Sequence, residues 1–107
     1  MSGEFLRGQV WEYIAGSQQY RVVIISGDEY NSTPNAAPWA LTIQRQAPSI
    51  PGYLIRLSEA DPFPGASVVV PNVLRCQRTG LVRSLGYLGD STMNAVEQAM
   101  RDFLALP

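Results

Sequence analysis

Residues 20–26 read YRVVIIS, and within them Val22-Val23-Ile24-Ile25 is a continuous β-branched run. Such side chains are stiff at χ1 and pack well on a pleated surface, so the run predicts a strand. Because its apolar positions do not alternate with polar ones, the strand is expected to be covered on both faces and central in its sheet. On either side, glycines and prolines fall at short intervals through the first two thirds of the chain, dividing it into many short strands. Residues 8–14 (GQVWEYI) alternate, with Val10, Glu12 and Ile14 on one face and Gln9, Trp11 and Tyr13 on the other. The polar turn Gly16-Ser17-Gln18-Gln19 joins this strand to the central one. NSTPNAAP at 31–38 has a turn or breaker residue at nearly every position and reads as an irregular loop. Residues 39–44 and 52–57 resume strand character on either side of the break at 48–51. After the turn Asp61-Pro62-Phe63-Pro64-Gly65, Ser67-Val68-Val69-Val70 predicts a second covered strand, which Pro71 ends or turns into a bulge or edge.

The end of the chain changes period. Met93, Val96, Ala99, Met100, Phe103 and Leu104 recur at spacings of three and four, predicting an amphipathic helix capped by Asp90 or Ser91 after Gly89. The expected architecture is mainly β with a C-terminal α-helix: a small, strongly curved antiparallel sheet or barrel closed by one terminal helix. At 107 residues it is expected to form one domain spanning 1–107.

Composition removes whole classes of chemistry. There is no His, all eight bases are Arg, and Cys76 is the only cysteine. A His-based triad, a P-loop lysine, a lysine Schiff base and a Cys/His zinc site are therefore impossible within one chain. Ionic catalysis is left to Arg, carboxylate, Tyr, the lone thiol or polarised Ser, Thr and Gln groups. The net charge of −1 and pI near 5.2 argue against a broadly basic nucleic-acid binder but leave room for a local arginine patch. The N-terminal stretch MSGEFLRGQVWEYIAG carries charges where a secretory signal needs an apolar core, and no apolar run approaches the roughly 20 residues that cross a bilayer. A cytoplasmic protein with no membrane role is expected.

Three arginines stand at strand ends: Arg21, Arg45 and Arg75. Each taken singly reads equally as a solvated charge, but converging they would make an anion site, and planar guanidinium forks suit phosphate. Thr42 and Gln44 share a face of the third strand, where a hydroxyl and an amide could hold a phosphate oxygen. Trp11, Tyr13, Tyr20, Tyr30, Trp39 and Tyr53 could stack on bases or fill a small barrel. Cys76 reads as a buried, inert thiol.

The order of these segments resembles the MazF/PemK family of toxin endoribonucleases from bacterial toxin–antitoxin pairs, over nearly the whole length. The features that carry the likeness are Arg7-Gly8-Gln9-Val10-Trp11, the loop Gly16-Ser17-Gln18-Gln19, Arg21 leading into the β-branched run, and Ser26-Gly27-Asp28 with Tyr30-Asn31 after it. Ser67-Val68-Val69, Leu74-Arg75, Leu85-Gly86-Tyr87-Leu88 and Leu104-Ala105-Leu106 follow in the same order. The resemblance implies an SH3-like antiparallel barrel of the PemK/CcdB toxin type. It also implies a homodimer that needs no metal or other cofactor, cuts single-stranded RNA through the substrate's own 2′-hydroxyl, and is neutralised by a cognate antitoxin. It assigns Arg21 and Thr42 to catalysis and Gln18, Gln19, Tyr20, Gln44, Arg45 and Arg75 to RNA binding, in a groove lined by the 16–20 and 31–38 loops. Gln18 stands where the family's loop has glutamate, and an amide cannot act there as acid or base. A second reading keeps the fold without the chemistry: a CcdB-like gyrase poison, or a degenerate family member that only binds.

Overall fold

The computed structural model describes residues 4–107, so the first three residues of the N-terminal stretch lie outside it. Six antiparallel strands form one sheet in the order β4-β5-β3-β2-β1-β6: β1 Gln9–Ala15, β2 Gln18–Ile24, β3 Trp39–Gln44, β4 Leu54–Arg56, β5 Ser67–Arg75 and β6 Leu81–Tyr87. A one-turn helix α1 (Asp28–Asn31) follows β2, a 3₁₀ turn (Arg78–Gly80) precedes β6, and helix α2 (Asp90–Phe103) ends the fold. The mainly β architecture with a C-terminal helix is the one expected from the sequence.

The β-branched run behaves as its composition dictates. Val22, Val23 and Ile24 are all fully buried, and β2 lies inside the sheet between β1 and β3. Val23 joins the core under α2 with Val10, Leu41, Val68, Val70 and Val96. Val22 and Ile24 point the other way, into a second core with Phe5, Tyr13, Ala40, Cys76 and Leu81. This sheet is therefore covered on both faces along its central strands. Burial also pushes the Cys76 thiol up to about 12, so the thiolate is not available at neutral pH.

Several local expectations are corrected. The turn between β1 and β2 is two residues, Gly16 and Ser17, with Gly16 at φ +61°, so Gln18 and Gln19 are strand residues paired with Ala15 and Ile14. Residues 31–38 are not wholly irregular: Asn31 closes α1 and is fully buried, its amide donating to the Ser26 carbonyl at 2.9 Å. Of the expected alternatives for Pro71 the bulge is the one observed, where the partner of Leu41 is Val73 and the partner of Thr42 is Val69, and β5 runs on to Arg75. β6 escaped the sequence reading altogether. Nor does Asp90 or Ser91 cap α2 through its side chain. Gly89 occupies the N-cap, and Asp61 reaches across from the preceding turn to accept its N–H at 2.7 Å.

Candidate functional site

Four strands place one residue each in a row across the sheet. Arg83 on β6 pairs with Glu12 on β1, Glu12 with Arg21 on β2, and Arg21 with Ile43 on β3. Directly paired residues of antiparallel strands share a face, so the side chains of all four stand on the face that also carries Val10 and Val23. There the sheet is hollowed into a groove of about 610 Å³. Gln19, Tyr20, Thr42 and Gln44 border it from β2 and β3, and Leu85 from β6. Phe63, from the turn after β4, supplies one wall, and no residue of α2 lines it.

Arg21 is exposed, and its guanidinium carbon lies 4.1 Å from the centre of the Phe63 ring. A guanidinium stacked in this way keeps its edge donors free for an anion while the ring holds its plane. Phe63 reaches that position with φ +59°, a left-handed conformation that a bulky residue seldom adopts. Glu12 forms an ion pair with Arg83, whose Nε lies 3.3 Å from Oε1, and accepts a hydrogen bond from the Gln19 amide through Oε2. Its side chain is 19% exposed against 71% for Arg83, so the carboxylate is the more enclosed partner and the arginine faces solvent.

The sequence-predicted site residues separate into three groups. Arg21, Gln19, Tyr20, Thr42 and Gln44 come together at the groove. Thr42, however, pairs with Val22, which places its side chain on the face opposite Arg21. It is 1% exposed, and its hydroxyl oxygen accepts from Asn72 Nδ2 at 2.9 Å and Gln44 Nε2 at 3.0 Å. Ile43, not Thr42, stands opposite Arg21. Arg45 lies just past β3 with its guanidinium 3.4 Å from the Pro64 carbonyl, beside Phe63, at the rim. Gln18 and Arg75 do not line the groove: Gln18 pairs with Ala15 next to the hairpin turn, and Arg75 pairs with Trp39 at the far end of β5. Residues 31–38 do not line it either, and the carbonyls of Asn31 and Ala36 instead accept hydrogen bonds from Arg78. Of the aromatics, Tyr13 is core and stacks on Tyr20 at 6.2 Å, Trp11 packs on Phe5, and Tyr53 meets Phe103 edge-on. Tyr30 and Trp39 keep exposed faces.

Glu12, Arg83 and Phe63 were missed as site residues. The signal for Glu12 was present, because a carboxylate between Val10 and Ile14 interrupts an otherwise apolar face. No cluster of three or more metal-ligating side chains occurs among the described residues, and no helix among them is long and apolar enough to cross a membrane.

No protein-family model matches the sequence, and no curated protein is significantly similar to it. Solved structures are. An endoribonuclease from a mycobacterial species superposes with a TM-score of 0.83 at 25% identity, covering 97% of this chain and 94% of its own. An endoribonuclease in complex with its cognate antitoxin, also mycobacterial, gives 0.84 at 25% identity over 100% and 98%. The Mycobacterium tuberculosis toxin MazF-mt6 gives 0.80 at 14% identity over 92% and 98%. This chain has the MazF fold. Within the MazF fold, the groove described above is formed by the strands of the sheet and one turn, so its geometry is a property of strand register.

Proposed function

We propose that the chain is one toxin domain of a type II toxin–antitoxin pair, a cytoplasmic endoribonuclease that cuts single-stranded RNA without metal or ribosome. In this reading it works as a homodimer and is neutralised by a cognate antitoxin. The observation that carries the reading is Arg21, an exposed guanidinium over the Phe63 ring in the groove of a MazF fold. The neighbours named as endoribonucleases support the activity, and the one solved with its antitoxin supports the partner.

The chemistry fits a chain without histidine. Attack of a 2′-hydroxyl on the adjacent phosphodiester forms a 2′,3′-cyclic phosphate and releases a 5′-hydroxyl, and its largest demand is stabilisation of the charge on the pentacoordinate phosphorus. Arg21 supplies it as a fixed fork of donors and, staying protonated, acts as a phosphate clamp rather than a proton carrier. Gln19, Tyr20 and Gln44 border the path of the strand, and Arg45 at the rim takes a neighbouring phosphate. Thr42 serves indirectly, by holding Gln44 and Asn72. Gln18 and Arg75 lie away from the groove and contribute only where the bound RNA extends beyond it.

The test is incubation of the purified protein with mixed-sequence RNA in EDTA. Cleavage to fragments with cyclic phosphate ends is expected, and Arg21→Ala should slow it by about 10²–10³-fold, the usual cost of removing one such donor. Because Arg21 is exposed, its melting temperature should stay near wild type. Intact RNA at high protein concentration would overturn the nuclease reading.

A further inference from the structure

We infer that Glu12 is the general base of the reaction, taking the proton from the attacking 2′-hydroxyl. This rests on the nuclease reading above and names the group that reading leaves open. Glu12 is the one carboxylate among the described residues lining the groove. It stands in direct register between Arg21 and Arg83, one strand spacing of about 4.8 Å from each. A phosphodiester seated on Arg21 therefore brings its 2′-hydroxyl within reach of Glu12. The Gln19 amide donates to one carboxylate oxygen and the Arg83 guanidinium pairs with the other, so the base is oriented before substrate arrives, and each oxygen keeps a lone pair to accept a proton.

The step balances without a co-reactant beyond water. The O2′–H bond gives its proton to the Glu12 carboxylate as the O2′–P bond forms. The P–O5′ bond breaks, and the departing 5′-oxygen takes a proton from solvent water. The Glu12 carboxyl then returns its proton to the hydroxide left behind. The groups facing Glu12 are Arg21 and Gln19 from β2 and Arg83 from β6, with Ile43 and Phe63 closing the groove beyond them. Both charged neighbours are guanidinium donors with no acceptor, so Glu12 is the only member of this set that can take up a proton.

Single-turnover cleavage of one RNA oligonucleotide, followed from pH 4 to 9, tests the assignment, alongside binding of its fully 2′-O-methylated and therefore uncleavable counterpart. Glu12→Gln keeps the shape but cannot accept the proton. We expect it to slow cleavage by about 10²-fold or more, as loss of a general base does, and to abolish the acid limb of the profile. It should bind the methylated RNA at least as well as wild type. Glu12→Asp should recover part of the rate and restore the acid limb, and it serves as the informative variant should the glutamine form not fold. A Glu12→Gln protein that cleaves within about threefold of wild type, or keeps the acid limb, overturns the base assignment while leaving the nuclease reading standing. Wild-type protein that leaves the RNA intact overturns both.

Discussion

Asp61 shows how much one side chain can organise. Its carboxylate accepts four hydrogen bonds: from the Gly89 N–H at 2.7 Å, the Thr92 hydroxyl at 2.7 Å, and the Ser58 N–H and hydroxyl at 2.7 and 2.8 Å. It thereby ties the turn after β4 to the first turn of α2, where a negative charge also meets the favourable end of the helix dipole. Burial works to raise its pKa, but the hydrogen bonds from Gly89, Thr92 and Ser58 together outweigh it and hold the carboxyl below its ordinary 3.8. A carboxyl that titrates lower folded than unfolded stabilises the fold fully above the unfolded value. The contribution is lost as pH falls through the folded one. Asp61→Ala should cost about 2–3 kcal/mol in urea denaturation at pH 7, the scale of a charge-assisted hydrogen-bond set left without its acceptor. In the same variant the decline of stability between pH 5 and pH 2 should be shallower than in wild type. The sequence shows Asp61 only as a turn residue. Its partners Gly89 and Thr92 lie 28 and 31 positions away, at a distance that no local pattern reports.

At the scale of elements, legibility followed burial. β2, β3 and α2 were readable because their periodicity reflects full or one-sided covering, as Val22 to Ile24 and the Val96–Ala99 stripe illustrate. β6 was not. It is an edge strand, exposed from Val82 to Ser84, and it has Gly86 near its end, so it lacks the alternation that would announce it. α1, with four residues, is too short to show a period. The same limit governed the site. Arg21 was visible as the arginine leading into the β-branched run, although it lies in the middle of β2 and not at a strand end because Gln18 to Tyr20 also pair, whereas Glu12 and Arg83 become neighbours only once β6 pairs with β1. That pairing depends on Gly80, where a Cβ would lie 2.5 Å from the Ile14 carbonyl oxygen and 2.6 Å from the Tyr13 ring. Gly80→Ala should therefore lower stability by about 1–3 kcal/mol in thermal or urea melts, because backbone and a core ring cannot both yield. Cleavage should fall with it, since the displaced 3₁₀ turn carries the start of β6.

For the molecule as a whole, the negative net charge and the arginine groove describe different distances. Far from the surface the chain is weakly anionic, while at the groove Arg21 and Arg83 outnumber Glu12. RNA affinity should accordingly rest on few phosphate contacts. For two or three of them, log K against log salt should have a slope of about −1.4 to −2.1, taking roughly 0.7 per contact for single strands. Titration of uncleavable RNA between 50 and 300 mM salt measures it, and a much steeper slope would mean a wider cationic track than this groove.

The row Arg83-Glu12-Arg21-Ile43 also carries information about time. Arg21 and Glu12 belong to the first hairpin of the fold, Ile43 to the third strand, and Arg83 to the strand before α2. A chain growing from its N-terminus has Arg21 and Glu12 early. It lacks Arg83 until β6 is made, and α2 must still follow to complete the core beneath β5. Products truncated before β6 therefore contain Arg21 without an assembled groove.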